Sequence, residues 1–260
     1  METAPILYEK MDKIAKITLN RPENRNSMDP ETLPAFQKIL DQVRQDTKLR
    51  CLIITGSGTS FCTGADFKSG IIKKGQPFLN KVLMALYKPF LDVGNLQIPV
   101  IGAINGHAIG GGLGLALMCD IRIADSKARM GANFARLGVH SGMAISYMLP
   151  RLVGLAKANE LLFTGKIITG EEAASIGLVN YAVETQKVME KSLALARQIA
   201  LCAPAAVQMM KHSIYSGLDW NPLKSAEMEA HIQSRTFEME DAREGICALL
   251  EKREPDFQGR

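Results

Sequence analysis

An α/β fold is predicted by three features of this 260-residue chain. Residues up to about 55 spell strand, strand, helix, strand. Residues 98–125, IPVIGAINGHAIGGGLGLALMCDIRIAD, read as a buried strand, a glycine turn, a short apolar helix and a second strand. Past Glu184 the apolar spacing is helical throughout, and a helical tail of that kind buries its faces only by packing on a core or on neighbours.

Taken in order, Ile6–Glu9 and Ile14–Leu19 alternate as strands, with Met11, Asp12 and Lys13 making the turn. Pro22 stops the second strand, because proline lacks the donor a ladder needs. Asp29 and Pro30 supply a cap and a first-turn proline for a helix running to about Gln45. Cys51–Ile54 is a third strand, followed by a glycine-bearing loop over 56–70 and a basic stretch, 71–76, that reads as mobile. A long amphipathic helix spans about 77–96 and ends before Pro99. After the central stretch, residues 128–140 (ARMGANFARLGVH) read as an irregular connector. Helices follow over 141–152, 157–163 and 171–175, then a short strand over 178–183. Four further helices are predicted over 184–201, 204–216, 222–237 and 240–252.

The central stretch has a chemical meaning. Gly110, Gly111 and Gly112 stand just before the helical run Leu113–Met118. Glycines there allow unusual backbone angles and let a ligand approach the main chain. The helix behind them presents unpaired N–H groups and the positive end of its dipole, which suits a phosphate or an oxyanion. Nucleotide fingerprints do not fit: Leu115 stands where G-x-G-x-x-G needs glycine, and no G-x-x-x-x-G-K-[ST] occurs.

Composition narrows the classes. A hydrophobic content of 47% gives ample material for a core. Net charge is +4, from 31 basic and 27 acidic residues, too mild to argue for nucleic acid but compatible with a polyanionic ligand. Cys51, Cys62, Cys119, Cys202 and Cys247 are odd in number and lack C-x-x-C spacing, which favours reduced thiols over disulfides or zinc. No apolar run reaches transmembrane length, and METAPILYEK has no signal-peptide pattern, so the expectation is a cytoplasmic protein without a membrane partner.

Four segments carry a resemblance. ITLNRPENRNSM follows the second strand, FCTGADFK the third, the GGG turn the fourth, and the chain closes on EGICALLEKREPDFQGR. In this order and at these separations they resemble the enoyl-CoA hydratase/isomerase family, the crotonases, over about residues 5–260. The resemblance implies an α/β fold, a spiral of ββα units followed by a C-terminal helical trimerisation region. The expected division is 1–200 for the spiral core with the acyl-CoA site and 201–260 for the helical region. It also implies an acyl-CoA thioester as substrate, no separate cofactor because coenzyme A is part of that substrate, and self-association as a homotrimer or hexamer.

In this family the thioester carbonyl binds between two backbone N–H groups, which carried over are those of Ala65 and Gly111. Two fixed donors stabilise the enolate formed when a proton leaves or joins carbon 2. Asp66, Phe67 and Lys68, with Ala65 and Gly111, would line the pantetheine and nucleotide path. The departures are equally informative. Hydratases carry a glutamate two residues after the glycine triplet, here Gly114, and a second twenty residues on, here Phe134. Related isomerases and dehalogenases use a carboxylate at the position of Gly142.

Between Cys51 and Asn159 the only carboxylates are Asp66, Asp92, Asp120 and Asp125. Hydration needs an acid and a base within reach of the water, so a two-glutamate mechanism is unsupported. His140, in the connector beside Gly142, is the replacement acid/base favoured by residue type. Tyr147 and His107 are weighed beside it, each against a purely structural role as core tyrosine or loop-stabilising histidine. Cys62 and Ser141 have no adjacent base, and the four histidines show no metal-ligand spacing. Phe134 and Met143 put bulk where polar chemistry would stand, as an apolar acyl pocket or as a plug. The expectation is therefore an acyl-CoA lyase or isomerase working through a stabilised enolate, with a non-catalytic acyl-CoA-binding or scaffold protein as the rival.

Overall fold

A computed structural model describes residues 4–66, 75 and 77–260. Its strands form two sheets. The six-stranded sheet has the order β1-β2-β3-β5-β7-β10, built from Ile6–Met11, Ile14–Leu19, Cys51–Gly56, Val100–Ile104, Ile121–Asp125 and Tyr181–Val183. Only the β1–β2 pair is antiparallel. The four-stranded sheet has the order β4-β6-β8-β9, from Ser60–Cys62, His107–Ile109, Arg129–Gly131 and Ile168–Thr169.

Consecutive strands alternate between the sheets. β3 then β4, β5 then β6, and β7 then β8 each place one strand in the large sheet and the next in the small one. The helix α2 (Leu79–Leu91) joins the first of these pairs to the second, and α3 (Gly111–Met118) joins the second to the third. This is the ββα spiral that the resemblance implies.

β3 is buried along its whole length, and its side chains serve two cores. Leu52 and Ile54 join the main cluster with Phe36, Phe61 and Phe90, while Cys51 and Ile53 face Val188 and Ala196 of α7 (Thr185–Ala200). A parallel strand covered on both faces needs this continuous apolar run.

The expected helix after Asp29 is α1 (Thr32–Gln45), which packs on the same core through Phe36, Leu40 and Val43. Asp29 caps it. Its Oδ1 accepts the N–H groups of Thr32 at 2.7 Å and Glu31 at 3.0 Å. Burial pushes the Asp29 carboxyl up, but the bonds from Thr32 and Glu31 and the nearby Arg21 outweigh it, leaving the group below its ordinary range. The sign follows: the carboxylate adds stability above its ordinary value of 3.8, and that stability is lost as pH falls through the lower folded value. Asp29→Ala should therefore cost roughly 1 kcal/mol at neutral pH. Urea titrations of both proteins should show that gap closing in acid.

The C-terminal helices α8 (Pro204–Ser216), α9 (Pro222–Phe237) and α10 (Glu240–Glu251) match the predicted spans to within a residue. Polar contacts tie α8 and the chain end to the sheets. Lys211 Nζ donates to Asp120 Oδ2 at 2.7 Å and to the Ile98 carbonyl at 3.0 Å, and the Tyr215 hydroxyl donates to Asp120 Oδ1 at 2.7 Å. Arg50, at the start of β3, donates to the Phe257 carbonyl near the chain end.

The small sheet is where the sequence reading falls short. β4, β6, β8 and β9 are two or three residues each; the first three fall in segments read as glycine loops and connector, and β9 falls between two predicted helices. Strands this short carry no readable alternation.

Candidate active site

The glycine corner forms where the two sheets meet α3. Gly110 has φ +57°, a left-handed conformation that favours glycine, and it turns the chain from β6 into the helix. Its N–H donates to the Gly131 carbonyl at 2.9 Å, and the Gly114 N–H donates back to Gly110 at 3.2 Å. The N–H of Gly111, the first helical residue, has no partner among the described residues. Gly112 lies so close to β4 that a Cβ there would sit 1.9 Å from the Cys62 carbonyl oxygen. That approach holds the helix start against the loop after β4.

The same loop brings in Ala65. Met28 pairs alongside it in parallel: its N–H donates to the Gly64 carbonyl at 2.7 Å, and it accepts from the Asp66 N–H at 3.1 Å. Successive peptide groups in extended chain point to opposite sides, so the Ala65 N–H faces away from Met28. Gly64 sits on the helix start, since a Cβ on it would lie 2.8 Å from the Gly111 nitrogen. Among the described residues the Ala65 N–H has no hydrogen-bond partner either. The segment that carries the Ala65 N–H thus lies against the helix start that carries the Gly111 N–H, through Gly64. Phe67 and Lys68 lie outside the described residues.

The positions flanking these donors are filled by bulk. The Phe134 ring reaches within 3.7 Å of where a Gly110 Cβ would sit, and Asn133 Oδ1 within 3.8 Å. A Cβ on Gly114 would lie 2.3 Å from Met143 Cβ, so Met143 occupies the space a side chain at 114 would need. Met143 and Ala144 both hold positive φ, +57° and +53°, just before α4 (Ile145–Val153). Two successive non-glycine residues there store strain, a feature that clusters at functional sites.

Three of the four carboxylates counted from sequence are engaged away from the corner. Asp120 receives Val100, Lys211 and Tyr215; Asp125 receives Lys127 and Thr185; Asp92 pairs with Lys88 and Arg44. Asp66 adjoins Ala65 and donates its own N–H to Met28. The Cys62 thiol is buried, which pushes it up to about 12, so it is no ready nucleophile.

The other candidates are placed as follows. His140 is exposed, with Nδ1 2.6 Å from the Ser141 carbonyl. His107 is in β6, and its Nδ1 accepts the Arg129 N–H at 3.1 Å, which is the loop-stabilising role weighed for it. Tyr147 is exposed and stacks under the Arg151 guanidinium at 3.6 Å, with Arg151 paired to Asp219.

Two residues escaped the sequence reading. Met28 is buried, and its Cε lies 2.4 Å from where a Cβ on Gly111 would stand, so it floors the corner. Tyr87, on α2, places its hydroxyl 2.4 Å from where a Cβ on Gly142 would be. The signal for Tyr87 was a lone hydroxyl on the apolar face of that helix.

Comparison with known proteins identifies the family and the fold. The family model for enoyl-CoA hydratase/isomerase matches residues 9–260. The chain is 36% identical to (E)-benzylidenesuccinyl-CoA hydratase of Thauera aromatica, over 98% of this chain and 99% of that one. It is 35% identical to short-chain-enoyl-CoA hydratase of Clostridium acetobutylicum, over 97% of each. A crystal structure of an enoyl-CoA hydratase from Bacillus anthracis superposes with a TM-score of 0.94 at 34% identity, covering 98% of this chain and 100% of that one. With its two-sheet ββα spiral and its glycine corner, the chain belongs to the enoyl-CoA hydratase/isomerase family.

Proposed function

We propose that this protein turns over an acyl-CoA thioester by holding its carbonyl oxygen between the N–H groups of Ala65 and Gly111. The observation that carries this reading is the pair of backbone donors on adjoining segments without partners among the described residues. As electrons move onto the carbonyl oxygen, fixed donors stabilise the enolate without reorganising, and each contributes about 3 kcal/mol. The chemistry then needs a way to place or remove charge at carbon 2 and a proton carrier.

Hydration is the activity named for the relatives above, and it needs an acid/base pair around the attacking water. Here Gly114 carries no side chain and Met143 fills the space beside it, while Phe134 is apolar. These residues favour isomerisation or decarboxylation, in which the oxyanion hole contributes most and one proton carrier suffices. His140, exposed beside Gly142, is the histidine nearest in sequence to that position.

The non-catalytic reading draws on the same filling of position 114 by Met143. One experiment separates the two. The purified protein is incubated with saturated, 2-enoyl, 3-enoyl, malonyl-type and aromatic CoA thioesters, and products are resolved by chromatography and mass. An isomer or loss of carbon dioxide is the expected result. Binding without turnover of any thioester moves the scaffold reading ahead. The same proposal includes self-association as a trimer or hexamer, supported by Leu223, Phe237, Leu249 and Leu250, which α9 and α10 expose in the single chain. Light scattering showing a monomer overturns that part.

A further inference from the structure

We propose that the cleft just ahead of strands β2, β3 and β5 is a binding site for a polyphosphate anion, separate from the glycine corner. Among the described residues none of the corner lines it. It lies at the opposite ends of β2 and β3 from the loops that carry Met28 and Gly64, so it stands or falls independently of the oxyanion reading.

The cleft encloses about 1130 Å³. That is ample for a ligand of nucleotide size, since small-ligand sites commonly span roughly 300–1,000 Å³. The β1–β2 turn brings Lys13 to it, and the link from α1 to β3 brings Lys48 and Arg50. Lys13 and Arg50 are neighbours, because the Arg50 N–H donates to the Lys13 carbonyl at 2.8 Å. Two further cations of the lining are already neutralised: Lys10 pairs with Asp46, and Arg44 with Asp41 at 2.8 Å and Asp92 at 3.5 Å. Lys13, Lys48 and Arg50 are not. Among the described residues none of the three has an ion pair, and the Arg50 guanidinium donates only to the carbonyls of Ala200, at 2.9 Å, and Phe257. Asp12, exposed at the turn, is the single unpaired carboxylate of the lining.

The charge left over selects the ligand class. Two carbonyls engage part of the five-donor guanidinium of Arg50 but leave its charge without a counter-ion. They also hold the planar fork in place, so an anion that binds it has less side-chain freedom to remove. Phosphate oxygens match such a fork, and the two lysines add compact charges beside it. A single monoanion answers one of the three cations, whereas a chain of phosphates answers all of them. Gln97 and Gln208 line the same cleft with side-chain amides that have no partner among the described residues, which adds neutral donors. Gln258 and Gly259 line it too, next to the Phe257 carbonyl that Arg50 holds. An occupant therefore braces the chain end against the start of β3.

The test titrates the full-length protein with inorganic triphosphate by calorimetry at low and at physiological salt. Saturable binding of one triphosphate per chain is expected, weaker at the higher salt because exposed charges are screened. Amide hydrogen exchange over residues 257–259 should slow in the complex. Lys13→Gln combined with Lys48→Gln should weaken binding about 10-fold, the loss of charge-assisted contacts. Neither lysine is paired, so thermal unfolding of that variant without ligand should match the wild type. ATP in place of triphosphate separates the two sources of such an anion: affinity kept or raised points to a nucleotide, affinity lost to an inorganic polyphosphate. No binding, or inorganic monophosphate binding as tightly as triphosphate, overturns the ligand class. Binding that the double lysine variant leaves unchanged puts the anion elsewhere on the chain and overturns the site.

Discussion

Ala65→Pro is expected to lower kcat/KM on any accepted thioester by 100-fold or more, the loss of one oxyanion donor. The substitution is selective because of how Met28 pairs. Met28 uses the Gly64 carbonyl and the Asp66 N–H, so the bridge that holds the loop does not need the Ala65 N–H. Proline at 65 removes that N–H while leaving both bonds of the bridge to Met28 available. Thermal unfolding and circular dichroism verify that the variant folds. Folded protein with wild-type kcat/KM would end the assignment of that donor.

Lys211→Met is the stability counterpart. Lys211 and Asp120 are both largely buried, and the ammonium also donates to the Ile98 carbonyl. Removing the cation leaves the Asp120 carboxylate with the Val100 N–H and the Tyr215 hydroxyl but no counter-charge. Breaking a buried pair from one side typically costs about 3–5 kcal/mol. The loss should appear as a lower urea midpoint. Because the pair ties α8 to Ile98 and Asp120, just ahead of β5 and β7, turnover should become more sensitive to heat as well. A midpoint within experimental error of wild type would show that the pair is replaceable.

Much of the fold was legible because its signals are local. The β1–β2 hairpin, the buried run Cys51–Ile54, the glycine turn into α3 and the four C-terminal helices each carry a period or a breaker that fixes their type. The small sheet was not legible, since Ser60–Cys62 and His107–Ile109 are held by partners far along the chain. The same distinction governs the site. The two glycine turns were readable as turns, while the choice of the Ala65 and Gly111 N–H groups within them came from the family resemblance. Tyr87 was not readable, for its neighbour Gly142 is 55 residues away and only the packing of α2 brings them together. Met143 shows a further limit: its place against Gly114 depends on two left-handed residues, Met143 and Ala144, whose types do not announce that conformation. His140 was favoured by residue type alone, and the fold leaves it exposed with its ring against the Ser141 carbonyl.

The most direct measurement of the central claim is the infrared difference spectrum of a bound acyl-CoA labelled with carbon-13 at the thioester carbonyl. Two hydrogen bonds from Ala65 and Gly111 polarise that carbonyl, so its stretch should move to lower frequency on binding the wild type. In Ala65→Pro it should move back toward the value in water. A bound thioester whose carbonyl stretch is the same in the wild type and in Ala65→Pro would contradict the oxyanion corner.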